Sequence, residues 1–207
     1  MFPDFLENPS DVAAPLLLGC TLTRTITLNG EKHKLVARIV ETEAYDQDDP
    51  ASHAFGGPSE RNAAMFGPAG HLYVYVSYGM HHCCNVVCGP EGFGSGCLVR
   101  AVEPLEGTAA MRELREAGRA GKEQAERAHK HPLKLRDLTN GPGKVCAALG
   151  IDKELYGHEL TVEPLVLEFA PLLPGETIGN SPRVGISKNI DAPKRFFIEG
   201  NEFVSRA

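Results

Sequence analysis

The chain has 207 residues, of which 42% are hydrophobic. It contains no run of eighteen apolar residues, which excludes a membrane-spanning helix and fits one globular domain over residues 1–207 with a sizeable core. A formal charge of −6 excludes attraction of nucleic acid through the net field, so any phosphate contact must come from a local basic face.

The first element is expected to be a helix capped by Ser10 and stopped at Gly19. The run Leu16-Leu17-Leu18-Gly19-Cys20 superficially suggests a lipoprotein cleavage site, but acidic Asp4, Glu7 and Asp11 stand where a basic leader belongs. Cys20 is one of six cysteines, with Cys83, Cys84, Cys88, Cys97 and Cys146. They lack the density of a small disulfide scaffold and follow no export signal, so they are expected to be reduced thiols of an intracellular, cytoplasmic protein. Thr21 to Leu28 reads as a strand, β-branched at alternate positions, and Asn29-Gly30 is a strong hairpin signal. The return strand is Leu35 to Tyr45, LVARIVETEAY. Read with period two, Leu35, Ala37, Ile39, Glu41 and Glu43 share one face. On this stretch alone the commoner outcome is that both glutamates emerge into solvent at the strand end. The alternative is a pocket, where a carboxylate held against a core is desolvated and suited to general acid or base work.

From Asp46 to Gly70 the chain is rich in Gly, Pro, Asp, Ser and Ala, with His53, Arg61 and Asn62 embedded, and loops of this length are usually functional. His71 to Met80, HLYVYVSYGM, reads as a strand with Tyr73, Tyr75 and Ser77 on one face, ending in a turn at Tyr78-Gly79-Met80. A tyrosine and a methionine exposed on a turn are suited to act as apolar wedges. Cys84 to Cys88 forms the next short strand. The run His81-His82-Cys83-Cys84 with Cys88 invites zinc, but neighbouring strand residues face opposite ways and the spacing matches no ordinary ligand pattern, so buried thiols are the better reading. Cys97 to Val102 reads as a core strand interrupted by Arg100, a cation that needs an anionic partner in Glu41 or Glu43.

Thr108 to Glu116 reads as an amphipathic helix, followed to Arg136 by a mixed-charge stretch that suits a solvated helical face. Asn140-Gly141-Pro142-Gly143-Lys144 opens a short helix ending at Gly150. Its glycine-rich start beside a lysine suits a phosphate, although it is not a P-loop. From Leu160 to Val204 the pattern is strand-like, with TVEPLVLEF, RVGIS and RFFIEG. The expected fold is mixed α/β (α+β), a curved and mainly antiparallel sheet with helices and long loops and one concave basic face.

Taken together, VETEAY at 40–45, His53, Arg61-Asn62, MFG from Met65, LYVYVSYGMHHCCN at 72–85, LVRAVEPLEG at 98–107, NGPGK from Asn140 and RVGIS from Arg183 resemble the 3-methyladenine (alkyladenine) DNA glycosylase family, in that family's order and over nearly the whole chain. The resemblance implies a monofunctional base-excision enzyme acting on duplex DNA as a monomer, with no metal or organic cofactor. Such an enzyme flips damaged purines, alkylated adenine, hypoxanthine or etheno-adducts, into a pocket and hydrolyses the N-glycosidic bond. It places Glu43 as the base that activates water, with Arg100 and the Val184 carbonyl holding that water. Tyr45 and Tyr75 fall on the aromatics that sandwich the flipped base, His53 on a histidine contacting base and backbone, and Asn85 on the asparagine that excludes guanine. Tyr78 falls on the residue inserted into the duplex and Met80 on a methionine at the DNA interface. Glu41, two residues from Glu43, is expected to share a proton with it.

Other classes make different demands. A non-catalytic damaged-DNA-binding protein would keep Tyr78 and the aromatic pocket but could dispense with Glu43, so the presence of both Glu43 and Arg100 argues against it. A free-nucleoside hydrolase would need the acid–base pair and no wedge.

Overall fold

A computed structural model describes residues 4–117 and 133–206. Most of the mixed-charge stretch after the amphipathic helix therefore lies outside the described residues.

The architecture grows from one hairpin. Strand β1 (Thr21–Leu28) turns through Asn29 and Gly30, whose φ angles of 52° and 84° are those of a turn matched to the twist of its strands. It returns as β2 (Glu31–Asp46), twice as long as β1 with 16 residues against 8. The register runs from Leu28 opposite Glu31 to Thr21 opposite Arg38, after which β1 is exhausted and β2 continues alone. Along its other edge runs β5 (Ser95–Glu106), reached through the hairpin β3 (Leu72–Ser77) and β4 (His81–Val87). Strand β6 (Leu165–Glu168) extends the sheet beyond β1. The hairpin β7 (Ile178–Ser181) and β8 (Arg195–Ile198) takes the edge that β1 leaves, with β8 pairing Glu41–Glu43. The result is the expected mixed α/β fold, a sheet of order β3-β4-β5-β2-β1-β6 with β7 and β8 attached, antiparallel at every pairing.

Among the described residues three α-helices, α1 (Ser10–Leu16), α2 (Thr108–Ala117) and α3 (Pro142–Leu149), accompany this sheet. The core contains Leu17, Leu22, Ile39, Val99, Met111 and Leu149, all fully buried. Burying one such side chain contributes about 1.5–3 kcal/mol. No described helix is long and apolar enough to cross a membrane.

The structure corrects four local expectations. Ser10 caps nothing. It is the buried first residue of α1, its Oγ has no hydrogen-bond partner among the described residues, and Pro9 is the N-cap residue, with its carbonyl accepting the Val12 and Ala13 amides. RVGIS is a loop, because the Val184 amide is spent on the Glu43 carboxylate in place of a neighbouring strand. Within TVEPLVLEF only Leu165–Glu168 pairs as a strand, beginning just after Pro164, which has no amide hydrogen to give a ladder.

The fourth correction concerns β2 itself. The pairing with β5 slips between Ile39 and Glu41, leaving Val40 as an extra residue. A bulge of this kind exchanges the faces beyond it. Before it, Leu35, Ala37 and Ile39 belong to the core; beyond it, Val40 and Ala44 do, and Thr42 Oγ1 donates to the Ala14 carbonyl of α1. Glu41, Glu43 and Tyr45 are thereby turned to the opposite side from the aliphatic row. They have not emerged into solvent, since both glutamates are 0% exposed.

Candidate active site

The side onto which β2 turns Glu43 and Tyr45 encloses a cavity of about 560 Å³. That volume suits a small-molecule or base-sized ligand. Its floor is charged and its opposite wall aromatic.

The floor begins with the bulges. A second slip, between Glu41 and Thr42, passes over Arg100 of β5 and leaves it outside the ladder. The Arg100 guanidinium lies between the two carboxylates, Nε 3.0 Å from Glu41 Oε1 and Nη1 3.4 Å from Glu43 Oε1. Both expected partners of this buried cation are therefore present. Glu43 also accepts the Val184 amide at 2.8 Å through Oε1 and the Tyr45 hydroxyl at 2.8 Å through Oε2. Burial first, and then the adjacent Glu43 charge, push the Tyr45 phenol well above its ordinary pKa, so it keeps the proton it donates. Glu41 accepts Arg195 Nε at 2.6 Å, the Ser205 amide at 2.6 Å and the Ser205 hydroxyl at 2.9 Å. No hydrogen bond joins the two carboxylates among the described residues. Each has its own donors, with two guanidiniums facing two carboxylates.

The wall comes from β3 and the long loop before it. Alternation along β3 puts Tyr73 and Tyr75 on one face, their rings stacked with centroids 5.6 Å apart. His53 meets the Tyr75 ring edge-on at 4.6 Å and shares a 3.0 Å hydrogen bond between its Nδ1 and the Tyr73 hydroxyl. Desolvation, helped by the Arg61 charge, lowers the His53 pKa, which favours the neutral ring at neutral pH. Burial raises Tyr75 strongly and pushes Tyr73 up to about 12, so both phenols remain neutral. Tyr45 and Tyr75 both line the cavity, and no ring contact joins them among the described residues. Asn85 of β4 is buried beside them, donating to the Tyr73 carbonyl at 3.5 Å.

At the cavity mouth the β3–β4 turn projects Tyr78, 86% exposed and held at φ 50°, with Gly79 next at 69°. Met80, 76% exposed on the same turn, does not line the cavity. Glu43, Arg100, Val184, Tyr45, His53, Tyr75, Asn85 and Tyr78 all do.

A family model described as Methylpurine-DNA glycosylase (MPG) matches residues 4–202. The chain belongs to the methylpurine-DNA glycosylase family. It is similar to proteins of Nitrosospira multiformis (45% identical, covering 98% of this chain and 92% of the relative) and Methanoculleus marisnigri (43%, 98% and 96%). A relative in Agrobacterium fabrum is 49% identical over 81% of this chain and 77% of its own. All three bear the name "Putative 3-methyladenine DNA glycosylase". By this membership the protein is a DNA repair glycosylase of alkylated bases.

Several residues of this glycosylase site were not singled out by the sequence pattern. Arg183 lies with its guanidinium 4.5 Å from the Tyr45 ring centroid, donates to the Ala44 carbonyl at 2.8 Å and stands 2.5 Å from Asp49 Oδ2. Burial opposes ionisation of Asp49, but Arg183, the Ala51 amide and Asn189 together outweigh it and lower its pKa. Arg195 and Ser205 were equally invisible, because an arginine opening an apolar strand and a serine near the end of the sequence give no signal until the fold brings them to Glu41. Tyr73 had a signal, its alternation with Tyr75. All six cysteines are buried and free, Cys88 and Cys97 having their Sγ atoms 3.7 Å apart. No three potential metal ligands converge among the described residues.

Proposed function

We propose that this chain is a monofunctional glycosylase that flips alkylated adenine, hypoxanthine or etheno-adducts out of duplex DNA and hydrolyses the N-glycosidic bond with water activated by Glu43. The observation that carries this reading is the buried Glu43 carboxylate, oriented by two hydrogen-bond donors and the Arg100 cation and facing an aromatic cavity. Glu43 accepts a proton from water as the water oxygen bonds to C1′ of the sugar, and the electron pair of the C1′–N bond leaves with the base. Arg100 steadies the water and the adjacent phosphate. The Val184 amide is committed to Glu43, while its carbonyl accepts no hydrogen bond among the described residues and suits the second ligand of that water.

The flipped base lies between Tyr45 and Tyr75 with His53 against its edge. Stacking on aromatic side chains supplies about 1–3 kcal/mol per base, enough to offset an unstacking cost of a few kcal/mol. A cationic alkylpurine gains further attraction from electron-rich ring faces and leaves as a neutral base, whereas hypoxanthine must also acquire a proton. Asn85 crowds the exocyclic amine of guanine. Tyr78 fills the gap left in the duplex and Met80 packs at the DNA surface beside it. One wedge and one cavity suit a single domain over residues 1–207, acting as a monomer on chromosomal DNA inside the cell.

The test is release of free base from duplexes carrying an alkylated adenine, hypoxanthine, an etheno-adduct or undamaged adenine. Release from a damaged duplex, leaving an abasic site and an intact strand, is expected. Tight binding to damaged duplex with no release from any of them would instead make the protein a damage-recognition module.

A further inference from the structure

Glu41 is the second fully buried carboxylate of the site, and nothing in the reaction just described uses it. Its surroundings are more elaborate than those of Glu43. Its two oxygens accept Arg195 Nε, the Ser205 amide and the Ser205 hydroxyl, and lie 3.0 Å from Arg100 Nε. Ser205 Oγ also lies 3.0 Å from Arg100 Nε, and Arg195 Nη2 donates to the Ser205 carbonyl at 3.0 Å. These contacts join β2, β5, β8 and the segment after Phe203 into one closed arrangement. None of Arg195, Ser205 and Glu41 lines the cavity. The Arg100 side chain is consequently gripped at Nε from behind, while its Nη end reaches toward Glu43 with only the longer 3.4 Å contact.

From this geometry we infer that Glu41 is a positioning residue for the glycosylase reaction, holding Arg100 at its Nε atom so that the Nη end serves water and phosphate without closing fully on Glu43. The inference rests on the reading of Glu43 as the base. Its physical content is competition for one cation. With Glu41 charged, Arg100 is shared and its attraction for Glu43 is divided. With Glu41 neutral, Arg100 and Arg195 face a single carboxylate, Arg100 collapses onto Glu43, and the base becomes weaker. The charged and titratable groups facing Glu43 are Arg100 of β5, with Tyr45 and Glu41 of β2. Arg195 of β8 acts through Glu41 and Arg183 through Tyr45, while His53, Tyr73, Tyr75, Tyr78, Cys83 and Lys188 are the other titratable groups of the cavity lining.

Glu41→Gln retains the shape of the side chain and removes its charge. The expected single-turnover rate on a damaged duplex is about 30-fold below wild type with affinity for that duplex within about threefold. The acidic limb of the pH–rate profile is expected to move to lower pH, a change that a purely structural role would not produce. Ser205→Ala keeps the amide donor and removes only the hydroxyl that bridges Arg100 and Glu41, so a rate loss of about fivefold at unchanged affinity is expected. It also provides the test should Glu41→Gln fail to fold. Wild-type rates and an unmoved acidic limb in a folded Glu41→Gln, or a wild-type rate in Ser205→Ala when Glu41→Gln does not fold, would overturn the inference. Glu43→Gln, assayed in parallel, separates the two readings: full activity there would remove the base assignment itself, whereas an inactive Glu43→Gln beside an unaffected Glu41→Gln removes only the role of Glu41.

Discussion

The floor and the wall of the cavity are built by opposite means. The aromatic wall is mostly local: Tyr73 and Tyr75 are two apart on β3, and Tyr78 lies at the end of the same strand. The charged floor gathers Glu43 from β2, Arg100 from β5 and Val184 from a loop, backed from outside the cavity by Glu41 of β2, Arg195 of β8 and Ser205 near the end of the chain. The wall requires only alternation and a tight turn. The floor requires two bulges, and every charge in it must be matched, because an unmatched buried ion costs several kcal/mol. On the proposed function the contrast separates two duties: the wall supplies stacking that holds a base outside the helix, and the floor supplies the groups that cleave it.

Substitutions that divide rate from affinity break or sharpen this contrast. The largest effect belongs to the floor. Glu43→Gln is expected to lower the single-turnover rate about a thousandfold, the range of a lost general base, with damaged-duplex affinity nearly unchanged. Asp49→Asn comes next. It leaves Arg183 uncompensated behind Tyr45, and a loss of about 3 kcal/mol in folding stability at pH 7 is expected by denaturant titration. The pH dependence follows from the lowered Asp49 pKa. A carboxylate whose folded pKa lies below its unfolded value stabilises the fold above that unfolded value, and the contribution disappears as pH falls through the folded pKa. The gap between wild type and Asp49→Asn is therefore widest at neutral pH and closes in acid.

Effects on the wall are smaller and appear in binding. Tyr75→Ala is expected to weaken affinity for a damaged duplex about 30-fold, the equivalent of one stacking contact, in an equilibrium titration. Tyr78→Ala is expected to cost about tenfold in excision from duplex DNA and less from single-stranded DNA, where no gap needs filling. Equal losses on the two substrates would show that Tyr78 does not act as a wedge.

The same division explains what was legible in the sequence. The β1–β2 hairpin, the Tyr78 turn and the aromatic face of β3 were readable because each depends on residues within a few positions of one another. The carboxylates were placed on the right strand, but strict alternation put them on the aliphatic face, since nothing in LVARIVETEAY announces that Val40 is passed over where β1 ends and β8 begins. RVGIS was misread as a strand for a related reason: its apolar residues are a loop whose amide serves a carboxylate 141 positions earlier. Arg195 and Ser205 belong to the same class, long-range partners whose function exists only once the sheet has closed.

The separation of duties is tested most directly by assaying Glu43→Gln and Tyr75→Ala side by side on one damaged duplex, measuring affinity and single-turnover base release for each. Glu43→Gln is expected to bind as wild type does and release almost nothing, while Tyr75→Ala binds weakly yet retains a measurable rate at saturation. Base release by Glu43→Gln within tenfold of wild type would contradict the assignment of chemistry to the charged floor.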